Sequence, residues 1–246
     1  MMLAAADLSL AGRLTGISAA LRPGEVTAIC GPNGAGKSTL LACLAGLLEP
    51  GSGIVTLDAA PLANLAPEAR ARAIGYLPQT PEIAWDVSIE TLVALGRIPW
   101  AGGGEKAIAV ALAAMDLEEL RCRPVSRLSG GERARALMAR VLAGHPRWLL
   151  ADEPLANLDL AHAARLVAEF RAQAAQGIGV VLVLHDLAQA MNHADRVLVL
   201  EGGRLVVDGP PAEALNEAVI ARVWGIAARW LGAPGGMALA LPPTPS

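Results

Sequence analysis

Three short stretches hold the residues best suited to chemistry. The first follows Val26–Cys30 (VTAIC), an apolar run of strand type. It reads Gly31, Pro32, Asn33, Gly34, Ala35, Gly36, Lys37, Ser38 and Thr39, which fits G-x-x-x-x-G-K-[ST], and residues 40–48 then continue as a helix. Glycines tolerate the left-handed dihedrals that turn successive backbone N–H groups inward, and a helix N-terminus adds partial positive charge. A polyphosphate is cradled without a bulky side chain in the way. Lys37 then supplies a mobile cation for the β- and γ-phosphates, and Ser38 a hydroxyl for Mg²⁺. Lys37 is one of two lysines in an arginine-rich chain, the other being Lys106. A point charge is wanted there rather than a planar fork.

The second stretch closes another apolar run, Arg147-Trp148-Leu149-Leu150-Ala151, with Asp152-Glu153-Pro154. Two carboxylates at a strand's C-terminal end sit where open α/β sheets place ligands. Side by side they need separate tasks: Asp152 to hold the Mg²⁺ that bridges phosphates, Glu153 to orient and deprotonate an attacking water. The third, Leu128-Ser129-Gly130-Gly131-Glu132, precedes an Ala/Arg-rich segment over residues 133–143 with high helix propensity. Ser129 and Glu132 make a capping box. Two glycines just inside a helix cost about 1 kcal/mol each against alanine, a cost understood if an anion must approach the backbone. His185 closes the apolar run VVLVL at 180–184, again where a parallel sheet delivers ligand groups. His145, His162 and His193 match no catalytic position and read as exposed or capping residues.

The elements that must position these groups are those of an α/β protein. Strands are expected at Leu3–Leu10, Val26–Cys30 and 54–57, with a hairpin over 198–207 turning at Gly202-Gly203. Crossover helices are expected at 166–175 and 187–192. From Pro81 to about Pro146 the pattern changes to helical segments separated by residues 99–104 and 122–124. This reads as a helical subdomain (81–146) inserted into a nucleotide-binding core (1–80 and 147–231), with a Gly/Pro-rich tail at 232–246 expected to be extended or mobile.

Composition excludes several classes. At 246 residues the chain buries a core without disulfides. It is 54% hydrophobic, but about a fifth of it is alanine, and its longest apolar runs, of about nine residues, reach half of a bilayer crossing. MMLAAADLSLAGR lacks a basic leader and meets Asp7 early, against a secretory signal. Cys30, Cys43 and Cys122 have no metal-ligand spacing and are expected to be reduced core thiols. Net charge is −3 with no block of one sign, so no nucleic-acid partner is expected.

The order of GPNGAGKST (31–39), Gln79 in IGYLPQ, LSGGE (128–132), LLADEP (149–154), LANLD (155–159) and His185 resembles the nucleotide-binding subunit of an ATP-binding cassette (ABC) transporter, from about residue 3 to 225. The resemblance implies an α/β fold: a RecA-like P-loop NTPase core, an N-terminal antiparallel β subdomain and an inserted helical subdomain. It implies a homodimer in which ATP lies between residues 31–39 of one copy and Ser129, Gly130, Gly131 and Glu132 of the other. Glu153, His185 and Gln79 become catalytic: Gln79 senses Mg²⁺ and the water, and His185 holds the γ-phosphate and the water. Ser38, Gln79 and Asp152 serve the metal, and Asp159 contacts the opposing subunit. Partners would be integral membrane permease subunits and, indirectly, a periplasmic or surface substrate-binding protein, with the chain peripheral at the cytoplasmic face of the inner membrane.

The stretch from Ile89 to Trp100 (IETLVALGRIPW) and the segments at 193–196 and 208–211 are similar to importer ATPases for iron chelates, haem and cobalamin. Leu92, Leu95 and Ile98 also fit a plain helix core stripe. On the importer reading, Trp85, Arg97 and Trp100 lie near the groove that receives a helix of the membrane subunit. Two departures stand out. No aromatic residue precedes the first core strand to stack on adenine, so Arg13 is the expected replacement, and Arg133 stands where glutamine is common after LSGGE. Other readings are a cassette ATPase for metal ions, lipids or drugs, a soluble cassette ATPase, and a small-molecule P-loop kinase, which would leave LSGGE and His185 idle.

Overall fold

Unbroken apolar runs make strands that are covered on both faces, and three of them do so here. Val26–Cys30 (β3), Trp148–Asp152 (β7) and Gly179–Val183 (β8) are buried at every residue. The computed structural model describes residues 2–79, 86–100, 103–156 and 158–241. Numbered along the chain, the other strands are Leu3–Leu10 (β1), Leu14–Leu21 (β2), Ser52–Leu57 (β4), Ala60–Pro61 (β5), Ile74–Leu77 (β6), Arg196–Glu201 (β9), Arg204–Gly209 (β10), Arg229–Leu231 (β11) and Ala238–Ala240 (β12). Six form one sheet in the order β10-β9-β3-β8-β7-β6. It is parallel apart from the edge hairpin β9-β10, whose turn is Gly202-Gly203.

This strand order positions the chemistry. β3, β8, β7 and β6 are neighbours, in register at Ile29↔Val183, Asp152↔Val183 and Leu77↔Ala151. Their C-terminal ends therefore deliver the 31–39 loop, His185, the Asp152-Glu153 pair and Gln79 to one edge.

A second, antiparallel sheet, β2-β1-β4-β5, packs over one face of the first. Between them lies a core of Leu3, Ile17, Leu21, Ile29, Leu40, Leu41, Leu150 and Val183, with helix α1 (Lys37–Leu44) inside it. α1 ends four residues before the sequence pattern does. The other face carries a core of Val26, Ala28, Leu149, Leu166, Phe170 and Leu182 with residues from the helices. β2 and β6 escape sequence reading because Thr15-Gly16 interrupts the apolar alternation of β2 and the four-residue β6 carries Gly75.

Between β6 and β7 the described residues add no strand to either sheet. Helices α3 (Ile89–Ala94), α4 (Glu105–Ala114) and α5 (Gly130–Ala143), following α2 (Pro67–Ala73), share the core residues Leu92, Val93, Leu112, Met115 and Leu137. Buried Arg135 donates to the carbonyls of Met115 (2.8 Å) and Asp116 (3.0 Å), stapling α5 to the end of α4. Helices α6 (Leu160–Ala175) and α7 (Leu187–His193) cross between core strands, and α8 (Pro211–Ala214) and α9 (Glu217–Trp224) follow β10. No described helix is long and apolar enough to cross a membrane.

Two expectations are corrected. Of the tail expected over 232–246, Ala238–Ala240 (β12) pairs back onto Arg229–Leu231 (β11) as a hairpin, and Asn192 at the end of α7 hydrogen-bonds both the N–H and the carbonyl of Met237 at 2.8 Å, while 242–246 lie outside the described residues. Cys30 and Cys43 are core thiols, and burial pushes Cys30 up to about 12, but Cys122 is exposed.

Candidate functional site

The 31–39 loop leaves β3 and turns into α1 through Gly36, which has φ 96. A side chain there would meet the carbonyl oxygen of Arg13 at 2.7 Å, so glycine is required twice over. The β1-β2 turn rests on the loop at this point. Thr15 N–H donates to Gly203 O (2.8 Å) and Gly203 N–H to Ala35 O (3.2 Å), so this turn, the 202–203 turn and the phosphate loop brace one another.

Lys37 is 6% exposed, and its ammonium donates to the carbonyls of Gly31 (2.9 Å) and Pro32 (3.0 Å). Burial lowers its pKa, while the charges of Glu153, Cys30 and Asp152 pull it back. Asp152, 4% exposed, moves the other way: burial raises it, and a hydrogen bond with Ser38 lowers it. Its Oδ1 is buried with no partner. An orphaned buried carboxylate oxygen beside a serine hydroxyl and a phosphate loop is the donor set a hard cation such as Mg²⁺ takes, so the residues present fit the metal. Among the described residues no three His, Cys, Asp or Glu side chains could hold an ion by themselves, which suits a metal that arrives with phosphates.

Glu153 stands in the left-handed region at φ 50, with its N–H on Val183 O (3.2 Å). A non-glycine residue there costs of order 1–3 kcal/mol and is held where the surroundings over-determine it. The turn aims its carboxylate at two predicted partners: Gln79 Nε2 donates to Oε2 (2.7 Å), and His185 Nε2 contacts Oε1. The three residues expected to act together therefore meet at one carboxylate. With Asn33, Gly34, Ala35, Gly36, Lys37, Ser38 and Thr39 they line a cleft of about 500 Å³, to which Gly12 and Arg13 also contribute. Arg13 is thus in the cleft, as expected of a residue replacing an adenine-stacking aromatic.

Residues 129–132 are not part of that lining. They form the first turn of α5, where Ser129 Oγ accepts from Glu132 N–H (3.2 Å) and Glu132 Oε2 accepts from Ser129 N–H (2.8 Å). The capping box is present as read from the sequence. Glu132 Oε1 is paired with Arg123 (3.1 Å), so both carboxylate oxygens serve their own chain. The two glycines differ. A side chain at Gly130 would meet nothing within 4 Å, whereas one at Gly131 would strike the ring of His162 at 2.8 Å. A packed imidazole accounts for the second glycine, and open space lies beside the first. Sequence reading missed this use of His162. The available signal was its place three residues after Asp159, whose Oδ1 caps α6 by accepting from His162 N–H (2.9 Å).

The proposed helix stripe divides. Leu92 is buried, but Leu95 is 37% and Ile98 70% exposed, so a core role accounts for only the first. The guanidiniums of Arg97 and Arg72 both lie over the Trp100 ring, at 4.8 and 5.0 Å from its centre, and Trp100 Nε1 donates to Gly144 O (3.0 Å). Arg97 and Trp100 therefore brace this segment against α2 and α5, and Ile98 with Leu95 presents the open apolar surface. Trp85 lies outside the described residues.

A model of the family described as ABC transporter matches residues 14–156. The chain is 46% identical to a hemin import ATP-binding protein of Nocardia farcinica, over 83% of this chain and 73% of the relative. It is 45% identical to one of Myxococcus xanthus, over 87% and 86%. Among solved structures, cbiO1 of Clostridium perfringens, part of the ABC transporter complex cbiONQ, superposes with a TM-score of 0.78 at 29% identity, covering 89% of this chain and 92% of that one. An ATP-binding cassette of an ABC transporter in its ADP conformation gives 0.81 at 25%, covering 91% and 97%. A family model spanning more than half of the chain, relatives above 40% identity and the geometry agree: the chain belongs to the ATPases of ABC transporters.

Proposed function

We propose that two copies of this chain bind and hydrolyse Mg·ATP between them and drive the import of haem through separate membrane subunits. The observation that supports the two-copy reading is that residues 33–39, Gln79, Glu153 and His185 line one cleft from which the Ser129–Glu132 turn is missing, while Gly130 lies open beside it, in an adjoining pocket that Gln79 and Glu153 also line. A helix N-terminus with a bare glycine is an anion site without an anion in its own chain. A second copy supplies one.

In this reading the N–H groups of Gly31, Asn33, Gly34, Gly36 and Thr39 shape the phosphate cradle, with Pro32 fixing the turn that Ala35 closes by donating its N–H to Pro32 O (3.2 Å), and Lys37 exchanges its two carbonyl partners for phosphate oxygens. Mg²⁺, held by Asp152, Ser38 and Gln79, would neutralise charge on the phosphates. Glu153 accepts the proton of the attacking water, and His185 and Gln79 fix the carboxylate and then the water. Ser129, Gly130 and Gly131 meet the nucleotide of the other copy, and Glu132 contributes by holding Ser129. Asp159, at the start of α6, lies at the same junction. ATP joins the copies through charge-assisted bonds on both sides, and loss of the γ-phosphate releases them.

The cargo class rests on the hemin import relatives and on the segment from Ile89 to Trp100, whose exposed Leu95 and Ile98 suit a docking helix of a membrane subunit. The chain would then sit at the cytoplasmic face of the inner membrane, peripheral to it, with a periplasmic or surface binding protein delivering haem from the other side. Reconstitution with the membrane subunits is expected to give ATPase activity that a haem-loaded binding protein raises several-fold. Stimulation by a different cargo and not by haem would overturn the cargo class.

Arg13 supplies the adenine side of the cleft, its guanidinium plane stacking on the base. Arg13→Ala is expected to weaken ATP binding about tenfold while leaving inorganic triphosphate unaffected. Equal ATP affinity in the two proteins would remove Arg13 from the site.

A further inference from the structure

The side chain of Asp159 is spent within its own chain. Oδ1 accepts from the backbone N–H of His162 at 2.9 Å, and Oδ2 lies 2.7 Å from His162 Nδ1. Hydrogen bonds from that backbone and ring hold the carboxyl below the usual carboxylate range. A ring tethered at both its backbone and Nδ1 has little rotational freedom. Its flat face lies over Gly131: a Cβ built there would fall 2.8–2.9 Å from Cγ, Cδ2 and Cε1 at once, the signature of a ring stacked squarely on the backbone. Gly131 is in the first turn of α5, beside the open space at Gly130.

We infer that His162 is a positioning residue: tethered by Asp159, its ring supports Gly131 and so sets the turn that meets the nucleotide bound by the second copy. The inference rests on the two-copy reading above and adds a residue to it. It also gives Asp159 a task inside its own chain, and it links α6, which begins seven residues after Glu153, to the α5 turn. Each copy thereby connects its own hydrolytic pocket to the surface it offers its twin. A displacement of about 1 Å at such a contact can cost up to 10²-fold in rate.

The test separates which pocket a defect at His162 reaches. Linked pairs of copies, both carrying Glu153→Gln so that ATP is bound without being cleaved, give defined pairings, and the readout is the ATP concentration needed for half-maximal nucleotide retention. With His162→Ala in one copy and Lys37→Ala in the other, the surviving pocket combines an intact cradle with an intact turn and is expected to behave as the parent. With both changes in one copy and none in the other, the surviving cradle faces the altered turn, and the ATP needed is expected to rise about tenfold. His162→Asn, which keeps an N–H near Asp159 but removes the ring from Gly131, is expected to show the same split. Equal behaviour of the two pairings overturns the role of His162, as does parental behaviour of His162→Asn in both. Gly130→Asp run alongside in place of His162→Ala tests the two-copy reading itself: if that pairing splits and the His162 pairing does not, the inference alone fails.

Discussion

Glu153→Gln is expected to bind Mg·ATP as the parent does and to hydrolyse it about 10²–10⁴-fold more slowly, the range attached to loss of a general base. The geometry makes this substitution clean. An amide has the volume of the carboxylate, its oxygen can still accept from Gln79 Nε2, and its N–H₂ can donate to His185 Nε2 in the other tautomer. The left-handed turn at residue 153 and its bond to Val183 O do not involve the side chain. The pocket keeps its shape and loses the one group that can take a proton from water. With ATP bound and not cleaved, the bonds across the two copies persist, so the variant is expected to elute as a dimer in Mg·ATP and as a monomer after the nucleotide is removed. ATPase rates with equilibrium nucleotide binding check the first claim, and size-exclusion chromatography checks the second. Parental hydrolysis by Glu153→Gln would remove Glu153 as the base.

Much of this site is legible in the residues because its chemistry constrains local sequence. A phosphate cradle needs glycines and one lysine at a fixed spacing after a strand, and the loop after β3 shows them. The capping box at Ser129 and Glu132 is likewise a local pattern with a local cause, and the helix it begins is where it was expected. What sequence reading loses is whatever depends on approach between distant segments. Gly130 and Gly131 look alike in LSGGE, and only the fold reveals that one faces open space and the other a ring thirty-one positions away. Leu92, Leu95 and Ile98 share one helical spacing, yet the chain passes from helix to a 3-10 segment at Leu95, and the later two turn outward. β2 was invisible because its pairing with β1 over Leu3↔Leu21 stabilises a strand whose own apolar alternation is diluted. The hairpin at 229–240 was hidden for a related reason, since Gly/Pro-rich sequence without a partner is a tail and with Asn192 beneath it is a hairpin.

The division of each nucleotide site between two copies has the largest consequence, because it makes single-site damage repairable by pairing. Lys37→Ala removes the cation of the cradle and leaves the α5 turn untouched. Gly130→Asp does the reverse. A Cβ at residue 130 meets nothing within 4 Å, and a carboxylate in the first turn of a helix suits the macrodipole, so α5 is expected to form while the turn repels phosphate. Either variant alone is expected to abolish nucleotide retention by the dimer.

The most direct measurement is the amount of Mg·ATP retained by two copies joined through a flexible linker, both carrying Glu153→Gln so that bound ATP is not cleaved. A dimer carrying Lys37→Ala in one copy and Gly130→Asp in the other is expected to hold about one ATP, since the cradle of the second copy meets the turn of the first and both are sound. A dimer carrying both changes in one copy beside an unaltered partner is expected to hold none, because each cradle or its opposing turn is broken. Equal retention by the two dimers, whether none or two, would contradict a nucleotide shared between copies.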